Sequence, residues 1–268
     1  MIKNNMNLSL KGKHILVTGV SRSQGIGATI VSLLAEAGAD VIGHGFASYD
    51  KSLEYKDADQ AYYNLLEKDM RKKGLSVTML PPSDLSLKET PEMIIKRVVG
   101  IFSYIDGLVL NHAYSVSLPL GEWTAEHIDA HMAVNVRAAM LMIQSFSKQL
   151  PEGMKGAITL FTSGQYLGPM IGEIAYSVSK DAIIGLTKQS AAALSQQNIR
   201  VNCINPGPTD TGYLDGESYK NVANMFPNGR WGMPEDAAKL VHFLHSDYAN
   251  WITGEVIASE GGFNRYRD

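Results

Sequence analysis

The chain has one cysteine, no long apolar run and no block of like charge, and each absence removes a class of protein. A single cysteine cannot close an internal disulfide, so a disulfide framework is excluded and a reducing, cytoplasmic compartment is expected. No window approaches about eighteen uninterrupted apolar residues, which excludes a membrane-spanning helix. Residues 1–13 are polar and lack the apolar stretch of a signal peptide. The 24 lysines and arginines are scattered among 27 acids for a net charge of −3, so there is no electrostatic footprint for nucleic acid. Internal repeats, low-complexity tracts and proline-rich linkers are also missing, and residues 1–268 read as one domain.

What is present is a composition of 45% hydrophobic and 19% charged residues, too apolar for disorder. A chain of this length buries roughly 75% of its unfolded surface, enough for a large core. The 25 glycines matter by position rather than by number.

Short apolar runs alternate with segments of helical period. The runs at 14–18, 41–44, 77–80, 107–111, 157–162, 199–205 and 255–259 predict seven strands. Between them, apolar spacing predicts helices over 25–38 and 175–196, and one long helix capped by Thr124 and running to about Leu150. Thr90-Pro91-Glu92 offers a capping hydroxyl, a first-turn proline and an acid, and Met233-Pro-Glu-Asp236 opens another helix. Nearly all-apolar strands, each followed by a helix, imply a parallel sheet covered on both faces. The expected fold is therefore α/β, a single Rossmann-type doubly wound parallel β-sheet, with ligands beyond the carboxyl ends of its strands. Residues 46–73 and 208–231 read as insertions, the second as a mobile substrate lid.

Thr18-Gly-Val-Ser-Arg-Ser-Gln-Gly-Ile-Gly27 follows the first strand and opens a helix. Glycines there allow a tight turn and close approach of backbone to a pyrophosphate, whose charge the helix N-terminus stabilises. Taken with Asp84-Leu85, Asn111-His-Ala113, Asn135, Ser163, Tyr176-Ser-Val-Ser-Lys180, Asn205-Pro-Gly-Pro208, Trp251-Ile-Thr-Gly254 and Glu260-Gly-Gly262, this order resembles the short-chain dehydrogenases/reductases over essentially the whole chain. Within that family it looks most like the β-ketoacyl-carrier-protein reductase branch.

The resemblance implies a catalytic tetrad of Asn135, Ser163, Tyr176 and Lys180. It places a nicotinamide cofactor against Gly19, Ser21, Arg22, Gly25, Ile26 and Gly27, with Ser48 after the second strand and Asp84 and Leu85 after the third. Asn111 and Ala113 follow the fourth strand, Tyr176 and Lys180 lie on the helix after the fifth, and Pro206, Gly207, Thr209 and Thr211 follow the sixth. It also implies a homotetramer, or a homodimer, and a small carbonyl or alcohol substrate, free or carrier-bound. No metal is expected.

The chemistry of the tetrad can be argued from the residues themselves. Tyr176 and Lys180 are four apart, so on a helix they share a face. A phenol of pKa about 10 is a poor acid or base near neutrality, and a nearby ammonium and a positive nicotinamide ring would bring it toward the working range. Tyr176 is expected to exchange the proton, Ser163 to hydrogen-bond the substrate oxygen, Lys180 to hold the nicotinamide ribose, and Asn135 to support a proton-replenishing water chain. Asn135 equally suits a buried asparagine that holds a neighbouring loop.

No acid follows the second strand until Asp50, whereas Arg22 in the glycine loop offers a guanidinium to a 2′-phosphate, so NADP(H) is favoured over NAD(H). The loop carries five residues between Gly19 and Gly25 where most of the family has three, and Tyr114 stands where a glycine is usual, which narrows the pocket. Enoyl reductases also lengthen this loop but separate their tyrosine and lysine more widely, so the spacing here points to a carbonyl. The favoured reaction is interconversion of a ketone and a secondary alcohol. The alternatives are a polyol, sugar or secondary-metabolite alcohol dehydrogenase and a non-catalytic redox sensor. His127 and His131, four apart but with no third ligand, are expected at solvent or an interface. Met132, Met140 and Met142 are expected in core or interface, and Cys203 as an inert core thiol.

Overall fold

The computed structural model describes residues 8–59 and 61–265. Seven parallel strands lie in the order β3-β2-β1-β4-β5-β6-β7. They are β1 (His14–Thr18), β2 (Asp40–His44), β3 (Val77–Met79), β4 (Gly107–Leu110), β5 (Gly156–Phe161), β6 (Ile199–Asn205) and β7 (Val256–Ala258). Each expected strand is present. The central ones are buried along their whole length, which is why their sequences are continuous apolar runs rather than alternating ones. β1 pairs with both β2 and β4, so the winding reverses there and a crevice opens beyond the carboxyl ends of those strands.

Two apolar layers flank the sheet. One packs α4 (Thr90–Phe102), α6 (Ala138–Gln149) and α7 (Ile174–Leu194) through Ile94, Val98, Met142, Phe146 and Ile183. The other packs α1 (Ile26–Glu36) and α9 (Pro234–His245) through Ile30, Leu34, Ala238 and Val241. The residues 46–73 fold as α2 (Ala47–Ser52) and α3 (Ala61–Lys72), and α8 (Gly216–Ala223) lies within 208–231.

Three expectations change. The helix from Thr124 is not one continuous α-helix: α5 (Ala125–His131) passes into a π-helical turn over Met132–Arg137 before α6 begins. Such wide turns interrupt regular packing and often sit at functional sites. Thr124 does cap α5, accepting from the His127 amide at 3.2 Å. Thr90, by contrast, lies inside α4, whose capping position is Glu89, and makes no side-chain cap. His127 and His131 are buried rather than solvent-facing, because α5 packs that face inward against Tyr114.

Candidate active site

A cavity of about 510 Å³ runs along the carboxyl ends of β1, β2 and β4, from the glycine loop to Tyr176. Of the residues the sequence named, Gly19, Ser21, Arg22, Gly25, Ile26, Asp84, Leu85, Asn111, Ala113, Tyr176 and Thr211 line it. Gly27 acts one layer back: a Cβ there would lie 2.2 Å from the Gly19 carbonyl oxygen, so only glycine lets α1 approach β1 this closely. Gly19 has φ +75° and packs against the Asn111 side chain, whose Nδ2 donates to the Gly19 carbonyl at 3.1 Å. Ser48 is exposed on α2 and lies away from the cavity, because the chain turns into a helix directly after β2. Its expected place is taken by Asp50, which lines the cavity and whose carboxyl burial raises above the usual range. Pro206, Gly207 and Thr209 form the turn after β6, outside the lining, with Thr209 Oγ1 donating to the Gly207 carbonyl at 3.2 Å.

At the other end, Tyr176 and Lys180 share one face of α7 and Ser163 sits just beyond β5. Ser163 lies close enough to Tyr176 to favour its phenolate, and its Oγ donates to Met170 Sδ at 4.0 Å. The Lys180 ammonium is 5.5 Å from the Tyr176 ring centroid and donates to the Phe161 carbonyl at 2.9 Å. Burial pulls Lys180 down to about 8. The tyrosine does not follow the expectation of a lowered value. Desolvation raises its phenol above the ordinary range, and the nearby Ser163 hydroxyl only partly opposes this.

Asn135 sits in the π-helical turn with every hydrogen-bonding group used. Its Oδ1 accepts from the Tyr114 amide at 2.7 Å, and its Nδ2 donates to the Tyr114 carbonyl at 2.9 Å and to Ser179 Oγ at 2.8 Å. Ser179 in turn donates to the Tyr176 carbonyl at 2.6 Å. Asn135 therefore couples the loop after β4 to the helix that carries the tyrosine. His112 adds a second brace, with Nδ1 2.7 Å from Thr18 Oγ1 and Nε2 3.2 Å from the Val134 carbonyl. Its burial holds the imidazole neutral, at about 3.

Tyr49 in the cavity wall, and residues outside it near Tyr176 and in the 208–231 segment, are not singled out by the sequence. Tyr49 of α2 crosses the cavity to the loop after β4: its hydroxyl donates to the Ser115 carbonyl at 3.1 Å and accepts from the Ser115 amide at 2.7 Å. It packs on Tyr114, 5.1 Å between centroids, and Tyr114 meets His131 edge-on. Glu173, one turn before Tyr176, is raised above the usual carboxylate range by burial. Buried Trp231 gathers Tyr213, Tyr219 and Phe226 around it, so the 208–231 segment has an aromatic core of its own. The only available signal was the aromatic richness of the two insertions, which names no partner.

The residues present fit a dinucleotide. The cavity joins a glycine turn at a helix N-terminus to Tyr176, and its volume is that of a small-molecule site. His44, which lines it, donates or accepts at Nε2 with Ser83 but keeps Nδ1 without a partner among the described residues.

Comparison with known proteins gives the same direction. The family model described as Enoyl-(Acyl carrier protein) reductase matches residues 19–264. An uncharacterized oxidoreductase of Bacillus subtilis, YjdA, is 34% identical over 94% of this chain and 97% of its own. L-xylulose reductase of Caenorhabditis elegans is 34% identical over 96% of this chain and 98% of its own. A 3-oxoacyl (acyl-carrier-protein) reductase of Agrobacterium tumefaciens, solved with NADP bound, superposes with a TM-score of 0.83 at 27% identity, covering 98% of this chain and 100% of that one.

Proposed function

This chain belongs to the short-chain dehydrogenase/reductase family and is an oxidoreductase, and from that premise we propose that it interconverts a ketone and a secondary alcohol using NADP(H). The observation that carries the reading is the placement of Tyr176 at one end of a cavity that begins at the glycine loop, with Lys180 one turn along α7 and Ser163 just beyond β5.

The nicotinamide ring, when bound, supplies or accepts the hydride at the carbonyl carbon. In the reducing direction Tyr176 gives its phenolic proton to the oxygen that becomes the alcohol, and in the oxidising direction it takes that proton back. Ser163 donates a hydrogen bond to the same oxygen, a fixed dipole aimed where negative charge develops. The phenol carries its proton at neutral pH, as the acid of a reduction must, and the Lys180 ammonium and a bound nicotinamide ring would offset the rise that burial imposes on it. Lys180, pulled down to about 8, still carries most of its charge at neutrality and favours the phenolate once the proton has gone. Asn135 fixes the distance between the Tyr114 loop and α7.

The four-residue Tyr176–Lys180 spacing supports carbonyl rather than carbon–carbon double-bond reduction. NADP(H) is supported by Arg22 in the cavity wall and by the NADP-bound relative, while Asp50, the acid that lines the cavity after β2, opposes it. A 3-oxoacyl thioester, free or carrier-bound, is the first substrate class, and the likeness to L-xylulose reductase favours a sugar or related polyol as the second. A homotetramer or homodimer would cover the exposed Met140, Val178 and Trp251.

A spectrophotometric screen of NADPH oxidation against β-ketoesters, diketones and sugars tests the reading. Turnover of one class is the expected outcome. Tight NADPH binding with no turnover on any carbonyl would replace it with a redox sensor, and NADH binding as tight as NADPH would remove the cofactor preference.

A further inference from the structure

Segment 53–59, between α2 and the described start of α3, lies as a strap over the glycine loop. Its contacts converge on one carboxylate. Asp57 Oδ1 accepts from Arg22 Nε at 2.8 Å, and Oδ2 accepts from the Gln24 amide at 2.9 Å and from Ser23 Oγ at 3.4 Å. Three consecutive loop residues thus aim their donors at a single anion. The guanidinium is further held over the Tyr55 ring, 3.5 Å to its centroid, and donates through Nη2 to the Thr211 carbonyl. The backbones of Arg22 and Ala58 form an isolated antiparallel bridge. The pair is well shielded, with side-chain exposures of 9% and 13% for Arg22 and Asp57. It is unlike a surface ion pair, which contributes little. A second carboxylate, Asp50, lines the same cavity as Arg22.

These loop donors, beside the N-terminus of α1, are an anion seat, and the chain's own carboxylate sits in it. A dianionic 2′-phosphate brought to Arg22 would meet Asp57 already there and Asp50 beside it, whereas a 2′-hydroxyl carries no charge to be repelled. We propose that Asp57 is an internal competitor for the 2′-phosphate, so that its carboxylate must leave the 22–24 loop for NADP(H) to bind but not for NAD(H), and that it thereby sets the cofactor discrimination of the enzyme. The inference rests on the reading that Arg22 receives the 2′-phosphate. The arginine binds the strap in one state and the cofactor in the other, and the strap's affinity for the loop is subtracted from that of NADP(H).

The test is the Kd of NADPH and of NADH for the full-length protein, measured by fluorescence titration in wild type, Asp57→Asn and Arg22→Ala. Asp57→Asn should tighten NADPH about tenfold and leave NADH within about twofold; an NADPH Kd that is unchanged or weaker overturns the competitor role. Arg22→Ala separates the two ideas. If it leaves NADPH binding unchanged, the 2′-phosphate reading itself fails. If it weakens NADPH while Asp57→Asn changes nothing, only the competitor role fails. Amide hydrogen exchange on the wild type needs no variant. NADPH should speed exchange over residues 53–59 relative to NADH, and equal or greater protection by NADPH overturns the proposal.

Discussion

The two ends of the cavity are built on different physics. Around Tyr176 the polar groups are anchored on helices and strands: Asn135 of the π-helical turn to the Tyr114 loop and to Ser179, Ser179 to Tyr176, Lys180 to Phe161. Around Arg22 the ties are charge-assisted and come from loops: Asp57 from the strap, and the Thr211 carbonyl from the turn region after β6. A reacting geometry needs sub-ångström constancy, which packed helices and strands supply. Cofactor discrimination needs only a balance of charge, and a loop can shift that balance without disturbing the core.

Removal of one phenolic oxygen should break the catalytic end most severely. Tyr176→Phe is expected to lower turnover by roughly a thousandfold while NADPH affinity stays within about threefold, read from steady-state rates and a binding titration. Near-normal turnover would mean that the proton comes from elsewhere.

The next largest effect concerns the loop that both ends share. Asn135→Ala strips the Tyr114 amide and carbonyl and Ser179 Oγ of a buried partner. A loss of about 2–3 kcal/mol in denaturant unfolding is expected, with a fall in kcat. An unchanged unfolding midpoint would show that the π-helical turn holds the loop without it.

The pH profile probes the charge balance. With Lys180 at about 8, its ammonium is lost as pH rises through that value, so kcat/KM for carbonyl reduction should fall about tenfold per unit above it. A profile flat to pH 9.5 would exclude the ammonium from the rate.

The smallest effect is expected at Tyr49, which clasps the same loop from the partly exposed side. Tyr49→Phe should cost about 1 kcal/mol or less and raise KM more than it lowers kcat. A loss equal to that of Asn135→Ala would erase the distinction between the rigid end and the adjustable one.

Much of this architecture was legible in the chain because the sheet is buried on both faces. A run such as His14–Thr18 followed by a glycine turn has few other folds open to it. Tyr176 and Lys180 were legible because helical geometry fixes residues four apart on one face. Ser48 was misplaced because nothing in Gly45-Phe-Ala-Ser48 shows that the backbone turns into α2 and points that hydroxyl to solvent. The burial of His131 depended on Tyr114, seventeen residues earlier, closing over α5. The direction of the Tyr176 shift was missed because desolvation belongs to the packed environment and not to the residue spacing.

The sequence by itself determined the parallel sheet and the glycine turn, since periodicity is local, and put Tyr176 and Lys180 on one helix face; their grouping with Ser163 came from the family resemblance. Only the tertiary structure decided what those groups are bonded to. It sent Asn135 to a loop and a helix, Lys180 to a carbonyl, and Arg22 to Asp57, thirty-five residues away. Hydrogen bonds and ion pairs depend on which side chains the fold brings within 3 Å or so, and no spacing along the chain states that distance.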